Sequence, residues 1–105
     1  MIRHIVFFKL QDPSPENLAR AKEVILGMAG KVPQLRHLEV GLDVVRSERS
    51  YDLALVAHFE SLDDLDAYQV HPEHVKVSQF LATVRAVPSV TVDYEVPCLD
   101  GQSLV

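Results

Sequence analysis

The chain has 105 residues, the size of one domain, and its 48% hydrophobic and 24% charged residues are typical of a globular protein. Its formal net charge of -5 argues against nucleic acid as a partner, because phosphate binding needs clustered cations and the ten Lys and Arg residues are scattered. No apolar run approaches the roughly 20 residues that span a bilayer, so we expect no membrane partner.

The N-terminus and the cysteine content favour a cytoplasmic location. The first six residues enter a strand pattern directly, without the ordered basic, apolar and small-residue segments of a signal peptide. Cys98 has no second cysteine to pair with, which fits a reducing compartment. We therefore expect a cytoplasmic protein.

Residues 2–10 are predicted to form a first strand that is apolar on both faces. Its even positions are apolar apart from one histidine: Ile2, His4, Val6, Phe8 and Leu10. On the opposite face, Ile5 and Phe7 lie between Arg3 and Lys9. A strand exposed to water on one side should alternate cleanly between apolar and polar residues, so we expect both faces of this strand to be covered.

A helix is predicted to follow, because Ser14 can cap it and Pro15 suits the first helical position. Its buried face is marked by apolar residues at helical spacing: Leu18, Ala21, Ile25 and Met28. Two further strands are predicted over residues 35–45 and 51–60. The polar connection at 46–50 is short enough to join them as an antiparallel hairpin.

A second helical region is predicted from Ser61 as its N-cap, with Leu62, Leu65 and Tyr68 on one side. Pro72 interrupts it and starts another helical run. The inward positions of that run are expected to be His74, Val77, Leu81 and Val84. Residues 89–96 alternate strictly and predict the last strand. We expect its even positions to face the helices: Val90, Val92, Tyr94 and Val96.

This order of elements predicts a fold of the α+β class, a ferredoxin-like βαββαβ arrangement with both helical regions on one face of a four-stranded antiparallel sheet. The other face would expose an apolar centre, which is unusual for a monomer. Its members are Ile5, Phe7, Ala54 and Val56. We expect this face to form a homodimer interface.

Three residues form the candidate catalytic site: His4, Tyr68 and His74. His4 lies among apolar neighbours on the helix-covered face, where the Tyr68 hydroxyl could be its hydrogen-bond partner. His74 lies in the first turn of its helix, where the local field disfavours a charged imidazole and so favours a neutral base. Such a base, a tyrosine hydroxyl and an apolar pocket suit proton abstraction beside a carbonyl. The alternative is that these residues only support the fold.

Two other groups of histidines are less favoured as functional sites. His71, Glu73 and His74 have suitable ligand chemistry for a metal, but the proline break and the lack of further ligands disfavour a metal site, and none is predicted. His37 and His58 belong to the opposite sheet face and are expected at its rim. No cofactor is expected.

The sequence resembles the stress-responsive A/B barrel (Dabb) domain family. The resemblance lies in the opening Ile2–Leu10, in Leu38–Gly41, in Ser50–Leu55, in the stretch from Phe59 to His74 and in Val92–Glu95. It implies a domain over residues 1–97, followed by a C-terminal tail over 98–105, and a dimeric α+β barrel.

The same resemblance implies a range of functions. Many members of the family have no assigned role, some plant members are heat- or stress-associated, and some are polyketide cyclases. The positions of this chain that match the catalytic residues of the cyclases are His74, Tyr68 and His4. The first helix departs from the plant cyclases, because Ala21, Ile25 and Met28 stand where those have bulkier aromatics. We therefore expect either a cofactor-free cyclase or isomerase acting on a small carbonyl ligand, or a non-catalytic stress-response or small-molecule-binding protein.

Overall fold

The computed structural model describes residues 1–97, so the tail predicted at 98–105, with Cys98, lies outside the described residues. Four strands and three helices follow in the order predicted from the sequence. They are β1 (Ile2–Phe8), α1 (Pro15–Leu26), β2 (His37–Leu42), β3 (Leu53–Phe59), α2 (Leu62–Gln69), α3 (Pro72–Val84) and β4 (Val90–Glu95).

The four strands form one antiparallel sheet in the order β2-β3-β1-β4, which confirms the ferredoxin-like arrangement. Each strand is shorter than predicted, because the apolar pattern continues into segments that leave the ladder. Leu10 shows this, since it lies beyond β1 and pairs only as an isolated bridge with Arg85.

The helices begin at the residues that the sequence indicated. The Ser14 hydroxyl accepts from the backbone N–H of Asn17 at 3.3 Å, and Ser61 accepts from that of Asp64 at 3.1 Å. Buried residues of α1 are those of the predicted stripe, and Met28 is buried just beyond its end. In α2 only Leu65 and Tyr68 of the predicted side are buried, whereas Leu62, the first residue of the helix, is 61% exposed. Within residues 1–97, each helix falls short of the length and apolar character that crossing a bilayer requires.

The prediction for the faces of the last strand is wrong. In the antiparallel register His4 lies opposite Asp93 and Ile5 lies opposite Val92, and residues directly opposite one another point to the same face. Because His4 faces the helices, Asp93 does so too, and Val92 points the other way. Strict alternation indicates the period of this strand but not which of its faces is turned to the helices, so the placement of its apolar residues in the core is wrong.

The face of the sheet without helices is therefore more apolar than predicted. The predicted patch gains the even positions of β4, which are all exposed: Val90, Val92 and Tyr94. Val92, paired with Ile5, is 62% exposed in the protomer. We call this surface the open face, consisting of Ile5, Phe7, Ala54, Val56, Val90, Val92 and Tyr94.

A buried carboxylate connects the β2–β3 hairpin to the end of β1. Asp52 is 6% exposed, and its two oxygens accept from the Leu10 backbone N–H at 2.7 Å and from the Arg46 guanidinium at 2.8 Å. Arg46 has a φ of 58°, and its backbone N–H donates to Asp43 at 2.7 Å. This contact network fixes the hairpin against the segment that follows β1.

Candidate functional site

A cavity of about 210 Å³ lies between the sheet and the helices. Its wall is mainly apolar and includes Val6 and Phe8 from β1, with Leu81 from α3. His4, Tyr68 and His74, the three residues predicted from the sequence, all line it. Three different elements, β1, α2 and α3, thus bring these side chains to one cavity.

His4 lies on the helix-facing side of β1 and is 6% exposed. Its Nδ1 contacts the Asp93 carboxylate, which corrects the expectation that Tyr68 would be its partner. The Tyr68 ring packs against the His4 ring edge to face, with centroids 6.0 Å apart. Because a carboxylate only accepts hydrogen bonds, Nδ1 of His4 carries a proton.

Sequence reasoning missed Asp93 as part of this site. The alternation of the last strand predicts Asp93 on the opposite face, together with the other odd positions. Only the register between β1 and β4 places it beside His4. A signal was present in the sequence, because a buried histidine needs an acceptor and the odd positions of that strand supply carboxylates.

Tyr68 belongs to α2 and is 1% exposed. Its ring centroid lies 4.8 Å from that of Phe59 and 4.4 Å from that of His74. Burial raises the pKa of the Tyr68 hydroxyl far above its ordinary value of 10.0. The phenol therefore keeps its proton throughout the physiological range and can act only as a neutral hydrogen-bonding group.

His74 lies in the first turn of α3, which starts at Pro72 and has His71 as its N-cap. Its Nδ1 donates to the backbone carbonyl of Gln69 at 3.1 Å, so Nε2 is the acceptor nitrogen of the neutral ring. Burial lowers the pKa of His74, the Gln69 carbonyl opposes this shift and the charge of His4 adds to it. The direction agrees with the prediction, but its main cause is burial, not the helix field.

The remaining histidines have other contacts. His71 Nδ1 accepts from the Glu73 backbone N–H at 3.1 Å, and the Glu73 carboxylate pairs with Lys76 at 3.0 Å. Among residues 1–97 no cluster of three or more His, Cys, Asp and Glu side chains is arranged to hold a metal ion.

His37 and His58 are cross-strand neighbours on the face of the sheet away from the helices. Their ring centroids lie 4.8 Å apart, and the Arg3 Nε donates to His58 at 3.1 Å. Burial, Arg3 and then His37 lower the pKa of His58, and Glu39 opposes them. The structure does not bring these two histidines into the cavity.

Fold and cavity define the chain as a ferredoxin-like α+β domain with a small, mainly apolar cavity under its helices. The chain belongs to the stress responsive A/B barrel domain family, Dabb, whose model matches residues 2–96. This confirms the resemblance identified in the sequence.

Similar proteins have been found in bacteria and plants. An uncharacterized protein of Streptomyces coelicolor is 33% identical over 78 residues, covering 70% of this chain and 79% of that protein. A stress-response A/B barrel domain-containing protein of Arabidopsis thaliana is 30% identical over 78 residues, covering 73% of this chain but only 30% of that protein.

A solved structure from Bacteroides fragilis has 35% sequence identity and a TM-score of 0.76. The match covers 90% of this chain and 95% of that one. It is described as a dimeric protein of unknown function with a ferredoxin-like fold.

Proposed function

We propose that the protein binds a small carbonyl compound in the cavity and abstracts a proton from the carbon beside the carbonyl. The observation that carries this proposal is the convergence of His4, Tyr68 and His74 on one cavity. A base, a hydroxyl donor and an apolar wall are the groups that enolate formation needs. The activity is that of a cofactor-free isomerase or cyclase.

His74 is the base in this proposal. Its lowered pKa keeps the ring neutral near pH 7, and the Gln69 carbonyl leaves Nε2 as the nitrogen with the lone pair. Nε2 takes the proton from the substrate carbon, and the electron pair of the broken C–H bond forms the enolate. An isomerase then returns the proton to another carbon, whereas a cyclase lets the enolate carbon attack a second carbonyl of the same molecule.

Tyr68 and His4 support the developing enolate. The Tyr68 hydroxyl keeps its proton because burial raises its pKa, and it donates a hydrogen bond to the enolate oxygen. His4 packs on the Tyr68 ring and is held by Asp93. The carboxylate fixes the tautomer and the orientation of His4, which suits it to position Tyr68 and the substrate.

The experiment measures by NMR the rate at which deuterium from the solvent is incorporated into a panel of β-keto compounds, after subtraction of the rate in buffer alone. In the His74→Ala variant this rate is expected to fall about 100-fold or more, which is the lower end of general-base contributions. Gln79→Ala, an exposed site on the same helix, is the control and should leave it unchanged. An unchanged rate in His74→Ala would remove the base from the proposal.

The functional unit in this proposal is a homodimer joined through the open face. Support comes from the exposed apolar side chains of that face and from the related Bacteroides fragilis structure, which is dimeric. Two sheets packed in this way form an α+β barrel with the cavities on its outer layers. Light scattering on dilution tests the assembly, and a stable monomer at all concentrations would contradict it.

A binding function without turnover is the second candidate. It is favoured by the packing of Tyr68, whose ring is fixed between Phe59 and His74, as a purely structural aromatic would be. The name of the Arabidopsis thaliana relative refers to stress response, which also fits a binding role. This candidate predicts saturable binding of carbonyl compounds with no deuterium incorporation above the buffer rate.

A further inference from the structure

The wall of the cavity carries hydroxyl groups and a cation in addition to the three proposed site residues. Ser78 of α3, Thr91 of β4 and, between these elements, Arg85 and Ser89 contribute to it. None of the residues lining it is Asp or Glu, although the chain has a net charge of -5. An arginine that lines a cavity without carboxylates in its wall, in an acidic protein, favours an anionic ligand.

Arg85 lies at the far end of the cavity from His74. His74 is in the first turn of α3 and Arg85 is its C-cap, an interval of 11 residues that spans roughly 16 Å along a helix axis. On the sheet, Arg85 bridges to Leu10 beyond the end of β1, whereas His4 is near the start of β1. The two ends of the cavity are therefore chemically different.

The backbone of Arg85 is fixed by contacts that do not involve its charge. Its N–H donates to the Leu81 carbonyl at 2.9 Å, and its carbonyl accepts from the Gln11 side chain at 3.1 Å. Within residues 1–97, Arg85 makes no ion pair with an Asp or Glu side chain, because those carboxylates pair with other Lys and Arg residues or with histidines. Asp93, beside His4, makes the opposite end less favourable for an anion.

We propose that Arg85 makes this cavity a site for oxo acids whose carboxylate lies several bonds from the reacting carbonyl. The proposal rests on the function proposed above and names its substrate class. The guanidinium binds the carboxylate by charge-assisted hydrogen bonds, and the apolar wall at Phe8 and Leu81 holds the connecting chain. The carbonyl then lies at the end formed by Tyr68 and His74.

The test compares 7-oxooctanoate with its methyl ester, which has the same ketone and chain but no charge. Titrations of the 15N-labelled protein, followed by amide chemical shifts, give both dissociation constants. The acid is expected to bind about tenfold or more tightly than the ester, because only the acid can form charge-assisted hydrogen bonds with Arg85. Arg85→Gln should weaken acid binding to the level of the ester, and Arg85→Lys should retain part of the preference.

Arg20→Gln is the matched control, because Arg20 lies over the Phe80 ring at 5.5 Å and does not line this cavity. It should leave the preference unchanged. Equal affinities in the wild type, no saturable shift with the acid, or a preference that persists in Arg85→Gln would each overturn the proposal.

Deuterium exchange of the same two probes separates this inference from the proposed activity. Exchange of both compounds at equal affinity would leave His74 as a base and overturn the role of Arg85. A clear preference for the acid without any exchange would support the carboxylate site and contradict the proposed proton transfer.

Discussion

At the scale of single residues, the two histidines of the cavity are held in the same way. Nδ1 of His4 contacts the Asp93 carboxylate, and Nδ1 of His74 donates to the Gln69 carbonyl. Both partners are acceptors, so Nδ1 carries a proton in both rings, and the neutral ring of His74 has its lone pair on Nε2. The protein thereby sets the tautomer of His74 before any ligand binds, which is the preparation that a general base requires.

The pKa of His74 predicts the pH dependence of the proposed reaction. Because burial lowers this pKa below its ordinary value of 6.5, the ring stays neutral and basic as the pH falls through 6.5. The rate of deuterium incorporation should therefore decline only at a lower pH, with a midpoint that matches the 15N titration of the His74 imidazole. A midpoint at or above 6.5 would contradict the assignment.

The same shift has a consequence for stability. Between the lowered pKa of the folded state and 6.5, the unfolded chain binds more protons at this position than the folded one. The contribution of His74 to the free energy of unfolding is thus fully present above 6.5 and is lost as the pH falls below it. His74→Gln, which cannot titrate, should show a smaller loss of stability over this range in urea denaturation.

Asp52 predicts a stability effect that is independent of the cavity. Removing its carboxylate leaves the buried N–H of Leu10 and the Arg46 guanidinium without their acceptor. Asp52→Ala should therefore cost about 2–3 kcal/mol in the free energy of unfolding, measured by urea denaturation with an unchanged slope. Arg46→Ala is expected to cost less, because the Arg46 side chain is 41% exposed. Equal costs would mean that the ion pair, not the Leu10 contact, dominates.

At the scale of elements, the order and type of the strands and helices could be predicted because they depend on local patterns. Ser14, Ser61 and Pro72 mark helix starts through contacts within a few residues, and the structure has its helices there. The face of the last strand could not be predicted in this way. It depends on which β1 residue lies opposite Asp93, a long-range register that no single strand's alternation contains.

The site shows the same division between local and long-range information. His4, Tyr68 and His74 could be found because their residue types and their element faces are readable from the sequence. Their common cavity and the Gln69 contact depend on how α2 and α3 meet at the Pro72 break. That Arg85 also lines the cavity could not be predicted, because it follows the last turn of α3, where helical periodicity no longer indicates the direction of a side chain.

The start of α3 predicts that the helix cap His71 and the proposed base His74 have separate roles. His71 caps this helix through its ring nitrogen, three residues before His74. His71→Ala should cost about 1 kcal/mol in the free energy of unfolding, and His71→Asn should restore it because asparagine is also a good N-cap. Deuterium incorporation by His71→Asn is expected to equal that of the wild type. A loss of rate in this stable variant would place His71 in the chemistry as well.

At the scale of the whole molecule, the two faces of the sheet differ in what covers them. The helix-covered face holds the cavity, and the open face carries aliphatic and aromatic side chains from the three strands β3, β1 and β4. The orientation of β4 affects both faces, because it places Asp93 beside His4 on the helix-covered face and Val92 beside Ile5 on the open face. The strand that completes the cavity therefore also enlarges the surface proposed for dimerisation.

The open face predicts that a single charge can separate the proposed dimer without unfolding the protomer. Val92 is 62% exposed in the protomer, so Val92→Asp should leave the fold intact, but its carboxylate would be buried against the partner. Light scattering should then give the monomer mass, and the melting temperature should lose its dependence on protein concentration. Val44→Asp, at a position 88% exposed outside the open face, is the control and should remain dimeric. A Val92→Asp protein that stays dimeric would show that the subunits meet through another surface.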